Sequence, residues 1–187
     1  GVPTVMLEAK EGLALINGTQ LMTSLGLLAV ARAERLLGWA ALAAALSVEA
    51  LEGSTAPFGA AYHAWRPHPG VQAAAAALAQ LLAGSELLAA HGDCPRVQDP
   101  YSVRCAPQVL GASLAAVRQA RAVLLREAES VTDNPLLDPE SGAAVSGGHF
   151  HGQPIALPLD GLNLALCEVG SVAERRLALA LGGNGGR

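Results

Sequence analysis

The stretch "TQLMTSLGLLAVARAERLLGWAALAAALSVEAL", residues 19–51, decides the fold. Alanine and leucine dominate it, and both are strong helix formers. It opens after Asn17-Gly18, and Gly53 supplies a natural stop. Its early part, "LMTSLGLLAVA", is apolar or small on every side, which predicts a helix buried all round. Charge first enters at Arg32, Glu34 and Arg35. As one helix the stretch would be about 50 Å long at 1.5 Å per residue.

Three further helices are expected around it. One runs from Val71 to about Ala90, ending near Gly92 and Pro95, after a proline-rich loop at 53–70. The next covers Pro107 to Ser130 and is closed by the turn "TDNP" at 132–135. The last covers Ile155 to Leu181, with Pro158 placed in its first turn. The "GGNGG" run at 182–186 ends it and is read as disordered. No segment alternates as a strand does, and no repeat of fixed period is present. The expected class is therefore all-α, a bundle of long, largely antiparallel helices forming one domain over residues 1–187.

Composition agrees. The 187 residues are 51% hydrophobic but only 3% aromatic, so Ala, Leu and Val must build the core. A net charge of −4 without a basic cluster argues against nucleic acid or an anionic membrane as a partner. The longest uncharged run in the first half, Leu36 to Val48, falls short of the roughly 20 residues a bilayer span needs. The opening "GVPTVMLEAKEG" has no charged head followed by an apolar stretch and no initiator Met, so the chain is read as a piece of something longer or a processed form. Cys94, Cys105 and Cys167 lack CxxC spacing and are expected to be reduced thiols in the cytoplasm.

Chemically able side chains gather in three islands: "LINGTQ" (15–20), "QDPYSVR" (98–104) and "SGGHFHGQP" (146–154). Each precedes a predicted helix, where unpaired backbone N–H groups favour negative charge. Asp99 reads as an N-cap with Pro100 at the first helical position. Tyr101 and Arg104, three apart, would share a face. Asn17-Gly18-Thr19 alone is most simply a turn, and Tyr101 with Arg104 could be an interface pair. His149 and His151 lack a third ligand nearby, so no metal is expected. His63 and His68, beside Trp65, read as loop packing. Phe150 is flanked by Gly147, Gly148 and Gly152, which would let backbone approach a ligand and leave the ring exposed. In an up-down bundle the first and third helices would begin at one end and the fourth at the other. The 24 residues from 131 to 154 could span about 80 Å and cross back along the third helix. Packing between subunits could bring the islands together instead.

The segments "KEGLALINGTQ", "VQDPYSVRCAPQVLGA", "SVTDNPLL" and "SGGHFHGQPIAL" closely resemble, in order and spacing, those of the histidine ammonia-lyase family, kin of the phenylalanine and tyrosine ammonia-lyases and aminomutases. The likeness runs from Glu8 to about Arg176. It implies an all-α homotetramer that eliminates ammonia from an amino acid, urocanate being the product from histidine. The electrophile implied is 4-methylideneimidazol-5-one, made from an Ala-Ser-Gly, without a metal. By the same resemblance Asn17 supports the electrophile and the bound amino acid, and Gln98 is an active-site glutamine. Tyr101 lies near the reacting centre, Arg104 grips the substrate carboxylate, and Phe150 flanks the prosthetic group. His149 stands where the family usually has asparagine.

The chain contains no Ala-Ser-Gly. Family members carry that tripeptide, a catalytic tyrosine loop and the main substrate-selecting residue upstream of the matched segments, and a further carboxylate downstream. The expectation is a central portion of an ammonia-lyase, inactive alone. The competing readings are an aromatic amino-acid ammonia-lyase or aminomutase, and a non-catalytic helical scaffold.

Overall fold

The computed structural model describes residues 1–91 and 96–182; Cys94, Gly92, Pro95 and most of the "GGNGG" run lie outside them. The decisive stretch forms α2, Gln20–Ala50, preceded by a short α1, Glu11–Asn17. A 3₁₀ turn, Ala56–Phe58, and α3, Ala60–Ala64, occupy the proline-rich loop. There His63 is buried and shares a hydrogen bond of 2.9 Å with the Pro57 carbonyl. The helix expected over 71–90 is two: α4, Pro69–Leu81, and α5, Glu86–Ala90. Gly84 adopts φ 77 between them, and Ser85 restarts the helix by accepting the Leu88 N–H at 3.3 Å.

A one-turn α6, Tyr101–Arg104, precedes α7, Ala106–Ala128. Pro100, not Asp99, is its N-cap. The Asp99 carboxylate instead accepts the Ser54 N–H at 2.6 Å and faces Arg96 at 3.6 Å, tying the 96–104 segment to the end of α2. The 131–152 connection does not cross back along α7. It folds on itself as a two-residue antiparallel ladder, β1 (Leu136–Leu137) with β2 (Ala144–Val145), in which Leu136 pairs with Val145. The last helix, α8, spans Gln153–Leu181, so the first-turn proline is Pro154 and Pro158 sits inside the helix.

The core lies where α2, α7 and α8 meet. Val30, Leu37 and Ala44 on α2, Leu110, Val117 and Leu124 on α7, and Ile155, Leu162 and Val169 on α8 recur every seven residues. That spacing keeps one stripe of each helix facing its neighbours at a small crossing angle. Leu124, fully buried, contributes about 1.5–3 kcal/mol by that burial. At Gly111 a β-carbon would come within 2.3 Å of the Val71 Cα, so α4 and α7 meet backbone to backbone.

The expectation that α2 is buried all round is corrected. Leu21, Leu25, Leu28, Leu36, Trp39 and Leu46 are exposed, and only one stripe packs inward. The membrane expectation needs correction as well, because α1 with α2 and, separately, α8 are long and apolar enough by composition to cross a bilayer. Interruptions by single charges made the uncharged runs look short. Both helices pack on α7 as members of a bundle.

The order of helix ends also differs from expectation. Thr19, at the start of α2, binds the end of α7: its hydroxyl donates to Glu127 at 2.7 Å and its N–H to the Thr132 Oγ1 at 3.2 Å. Gly152, at the start of α8, packs on Met22. Arg176, near the end of α8, donates to the Ser102 carbonyl in α6 at 3.3 Å. Thus α2 and α8 begin at one end and α7 at the other, because the hairpin returns the chain where α7 stopped.

Candidate functional site

Two of the three islands meet at the shared start of α2 and α8. Asn17, the last residue of α1, donates from Nδ2 to Asp133 Oδ1 at 3.1 Å. Lys10 donates to and pairs with the other oxygen of the same carboxylate. Gly18 is required here, since a β-carbon would lie 2.1 Å from the Thr132 carbonyl oxygen. On the next residue of the turn, Asn134 Oδ1 accepts the Gly147 N–H at 2.6 Å, with the Ser146 hydroxyl at 3.4 Å. The "TDNP" turn therefore holds "LINGTQ" on one side and the glycine loop on the other. Phe150 is 42% exposed beside it, and His149 is exposed.

Asp133 is only 7% exposed. The Lys10 ammonium does most to hold its carboxyl below the usual carboxylate range, and hydrogen bonds from the Asn134 backbone and the Asn17 amide add to this. A carboxylate can only accept, so the amide group of Asn17 must face it and the Asn17 carbonyl oxygen must face away.

The third island stands at the opposite end of α2. Gln98 and Arg104 line a cavity of about 540 Å³ together with Ser54, Leu88 and His91. His91 Nδ1 is 3.3 Å from Glu52 across its wall. Gln98 is exposed, and the Arg104 guanidinium lies over the Tyr101 ring, 4.7 Å from its centroid. Among the described residues, Arg104 Nε is buried without a hydrogen-bond partner, as is Ser102 Oγ nearby. Behind α6, Arg176 is 2% exposed; burial pulls its pKa down, and its Nη2 has no partner among the described residues.

The 31 residues of α2 separate these two ends by about 45 Å. One copy of the chain therefore brings Asn17 and Phe150 to one end and Gln98, Tyr101 and Arg104 to the other. An electron-accepting ring of the implied kind fits the first end as far as Asn17 goes, since one amide proton and the carbonyl oxygen remain beyond the Asp133 bond. Gln98 cannot reach the same ring within one copy.

Sequence reasoning missed Lys10, Asp133 and Glu127. The signal for the first was present, because Lys10 is the only lysine in the chain. Asp133 read as turn chemistry alone, because its partners lie 116 and 123 residues away.

The chain belongs to the aromatic amino acid lyase family, whose model matches residues 1–185. It is 52% identical over 97% of its length to histidine ammonia-lyase of Aromatoleum aromaticum (strain DSM 19018 / LMG 30748 / EbN1). It is 56% identical over 94% of its length to histidine ammonia-lyase of Deinococcus radiodurans. In each case it spans 34% of the relative, about a third. Among solved structures it is similar to histidine ammonia-lyase from Trypanosoma cruzi, with TM-score 0.81 and 41% identity, covering 94% of this chain and 32% of that one. Tyrosine aminomutase from Streptomyces globisporus gives TM-score 0.84 and 41% identity, covering 92% and 36%.

Proposed function

We propose that these residues form the helical core of a cytoplasmic histidine ammonia-lyase, which converts L-histidine to urocanate and ammonia. The observation that carries the reading is the Arg104 guanidinium, stacked on Tyr101 at the mouth of a cavity it shares with Gln98. A planar guanidinium suits two-pronged recognition of a carboxylate, the group every amino-acid substrate presents. The 50–56% identity to histidine ammonia-lyases favours histidine over phenylalanine or tyrosine.

In the reaction the Cα–N bond breaks, a proton leaves Cβ, and the electrons of that C–H bond close the double bond. Arg104 holds the carboxylate and so fixes the plane in which the bonds must align. The Tyr101 hydroxyl stands next to the reacting carbons. Asn17 supplies an oriented amide, Gln98 a second one, and the Phe150 ring packs against the flat face of the pocket with His149 beside it. When bound, 4-methylideneimidazol-5-one supplies an electrophile that turns the amino nitrogen into a leaving group. It would come from an Ala-Ser-Gly outside these 187 residues, held by Asn17, Gln98 and Phe150.

Because the two polar ends are about 45 Å apart, the pocket is completed between copies. Antiparallel packing of two α2 helices sets the start of one against the end of the other. The exposed leucines and Trp39 of α2 offer the apolar face for it, and a second such pairing gives a tetramer.

The test is urocanate formation, followed by ultraviolet absorbance, from L-histidine and in parallel from L-phenylalanine and L-tyrosine. The full-length lyase is expected to use histidine, and residues 1–187 alone are expected to give no turnover. Preference for tyrosine with formation of a β-amino acid would move the reading to an aminomutase. Sustained turnover by residues 1–187 alone would refute the need for further segments.

A further inference from the structure

The turn that joins α7 to the hairpin touches both halves of the α2-start site and carries none of the roles assigned above. Asp133 takes the Asn17 amide on Oδ1 and Lys10 on Oδ2. Asn134 takes the Gly147 backbone on Oδ1. The two residues are adjacent, so one rigid turn sets the positions of both islands.

We infer, resting on the lyase reading, that Asp133 and Asn134 are positioning residues: Asp133 fixes which way the Asn17 amide faces, and Asn134 fixes the glycine loop that carries Phe150. An asparagine amide has two nearly isosteric ends, and only its neighbours decide which one meets a ligand. Asp133 offers acceptors alone. It therefore holds the Asn17 carbonyl oxygen and one remaining N–H in a single orientation toward the site. A neutral partner that can both donate and accept would permit either orientation.

Lys10 makes this discrimination persist. It neutralises a carboxylate that would otherwise be buried unpaired, and it keeps that carboxylate ionised into acid. The hollow of about 320 Å³ beside the pair contains no charged lining residue other than Lys10 and Asp133. On α7, the Glu127 carboxylate accepts the Thr19 hydroxyl. On α1, the Glu11 carboxylate accepts the Glu8 N–H. Asp133 thus answers to Lys10 before any other group.

The experiment compares the full-length lyase with its Asp133→Asn, Asp133→Glu and Lys10→Gln variants. Asp133→Asn keeps the shape and an acceptor but loses the one-way preference. Its kcat should fall about tenfold to a hundredfold, the loss usual for a partner that orients a reacting group, while KM changes little. Asp133→Glu should recover part of the loss. Lys10→Gln should move the acid limb of kcat/KM to higher pH, because Asp133 then protonates sooner. Without reference to turnover, the thermal midpoint of the parent should fall as pH drops through the acid range, and that of Asp133→Asn should lose this component.

A folded Asp133→Asn variant with parental kcat overturns the inference and leaves the lyase reading standing. So does a Lys10→Gln variant with an unmoved pH profile, which decides the matter if Asp133→Asn fails to fold. A parent that deaminates no amino acid overturns the lyase reading, and the inference with it.

Discussion

Replacing Arg104 with Ala tests the substrate reading most directly. The guanidinium lies 4.7 Å from the Tyr101 centroid, and its Nε is buried with no acceptor. Among the described residues, truncation therefore breaks no side-chain hydrogen bond at Nε. It removes a cation–π contact worth about 0.5–1 kcal/mol at so exposed a ring, which lowers the melting temperature by no more than about 4 °C. The effect on substrate is larger. A hydrogen bond to a charged group contributes about 1.5–3 kcal/mol, and each 1.36 kcal/mol is tenfold in rate. The expected loss in kcat/KM is thus about 10- to 150-fold, measured by steady-state urocanate release in the full-length enzyme. Arg104→Lys keeps the charge without the planar fork and should fall between. Circular dichroism at the assay temperature separates this from unfolding. Unchanged kcat/KM in a folded Arg104→Ala enzyme would show that the carboxylate is held elsewhere.

Other perturbations bear on the bundle. Gly111→Ala should destabilise by about 3 kcal/mol, the upper part of the overpacking range, because its methyl meets the Val71 backbone and not a movable side chain; a denaturant midpoint equal to the parent's would contradict it. Leu124→Ala, at a fully buried seam position, should cost about 2–5 kcal/mol by the same measurement. Arg176→Met should leave stability unchanged or raise it by about 1 kcal/mol, since a buried guanidinium with one carbonyl acceptor loses more hydration than it regains; a large fall would reveal a carboxylate partner. Acid unfolding should report Asp133. Its native pKa lies below its unfolded one, so its stabilisation is complete above about pH 4 and disappears as pH falls through the native value.

The helices were legible because alanine and leucine runs with few breakers leave little alternative. What the sequence hid depended on distant partners or on single residues within a favourable run. Gly84 split α4 from α5 because it sits at a left-handed φ, whereas Gly26 and Gly38 lie inside α2 without ending it. Asp99 looked like an N-cap by local pattern, but the Ser54 N–H, 45 residues away, claimed its carboxylate. Candidate site residues could be named from type and order, while their grouping could not. Which islands meet depends on the course of the 131–152 segment, and a ladder only two residues long decided it. Local propensity carries no signal for so short a pairing.

The placement of the islands in turn constrains how the site can work. An amino acid is only a few ångströms long and cannot touch Asn17 and Arg104 of one copy across the length of α2. No hinge inside the chain closes that gap, since α2, α7 and α8 share one seven-residue seam along their length. On the proposed lyase reading, a second bundle lying antiparallel to the first would join the ends. Under that reading a two-fold axis would do this twice, giving two equivalent pockets, each with an amide end from one copy and a guanidinium end from the other. The apolar residues that α2 leaves exposed fit this proposal, since such a face calls for a covering partner. Two inactive variants, one altered at Asn17 and one at Arg104, should accordingly regain activity when co-expressed as full-length chains. In a mixed pair one pocket combines both intact ends while the other carries both defects. If the mixed enzyme has no more activity than either variant alone, each pocket belongs to one chain, and the opposite-end geometry has been misread.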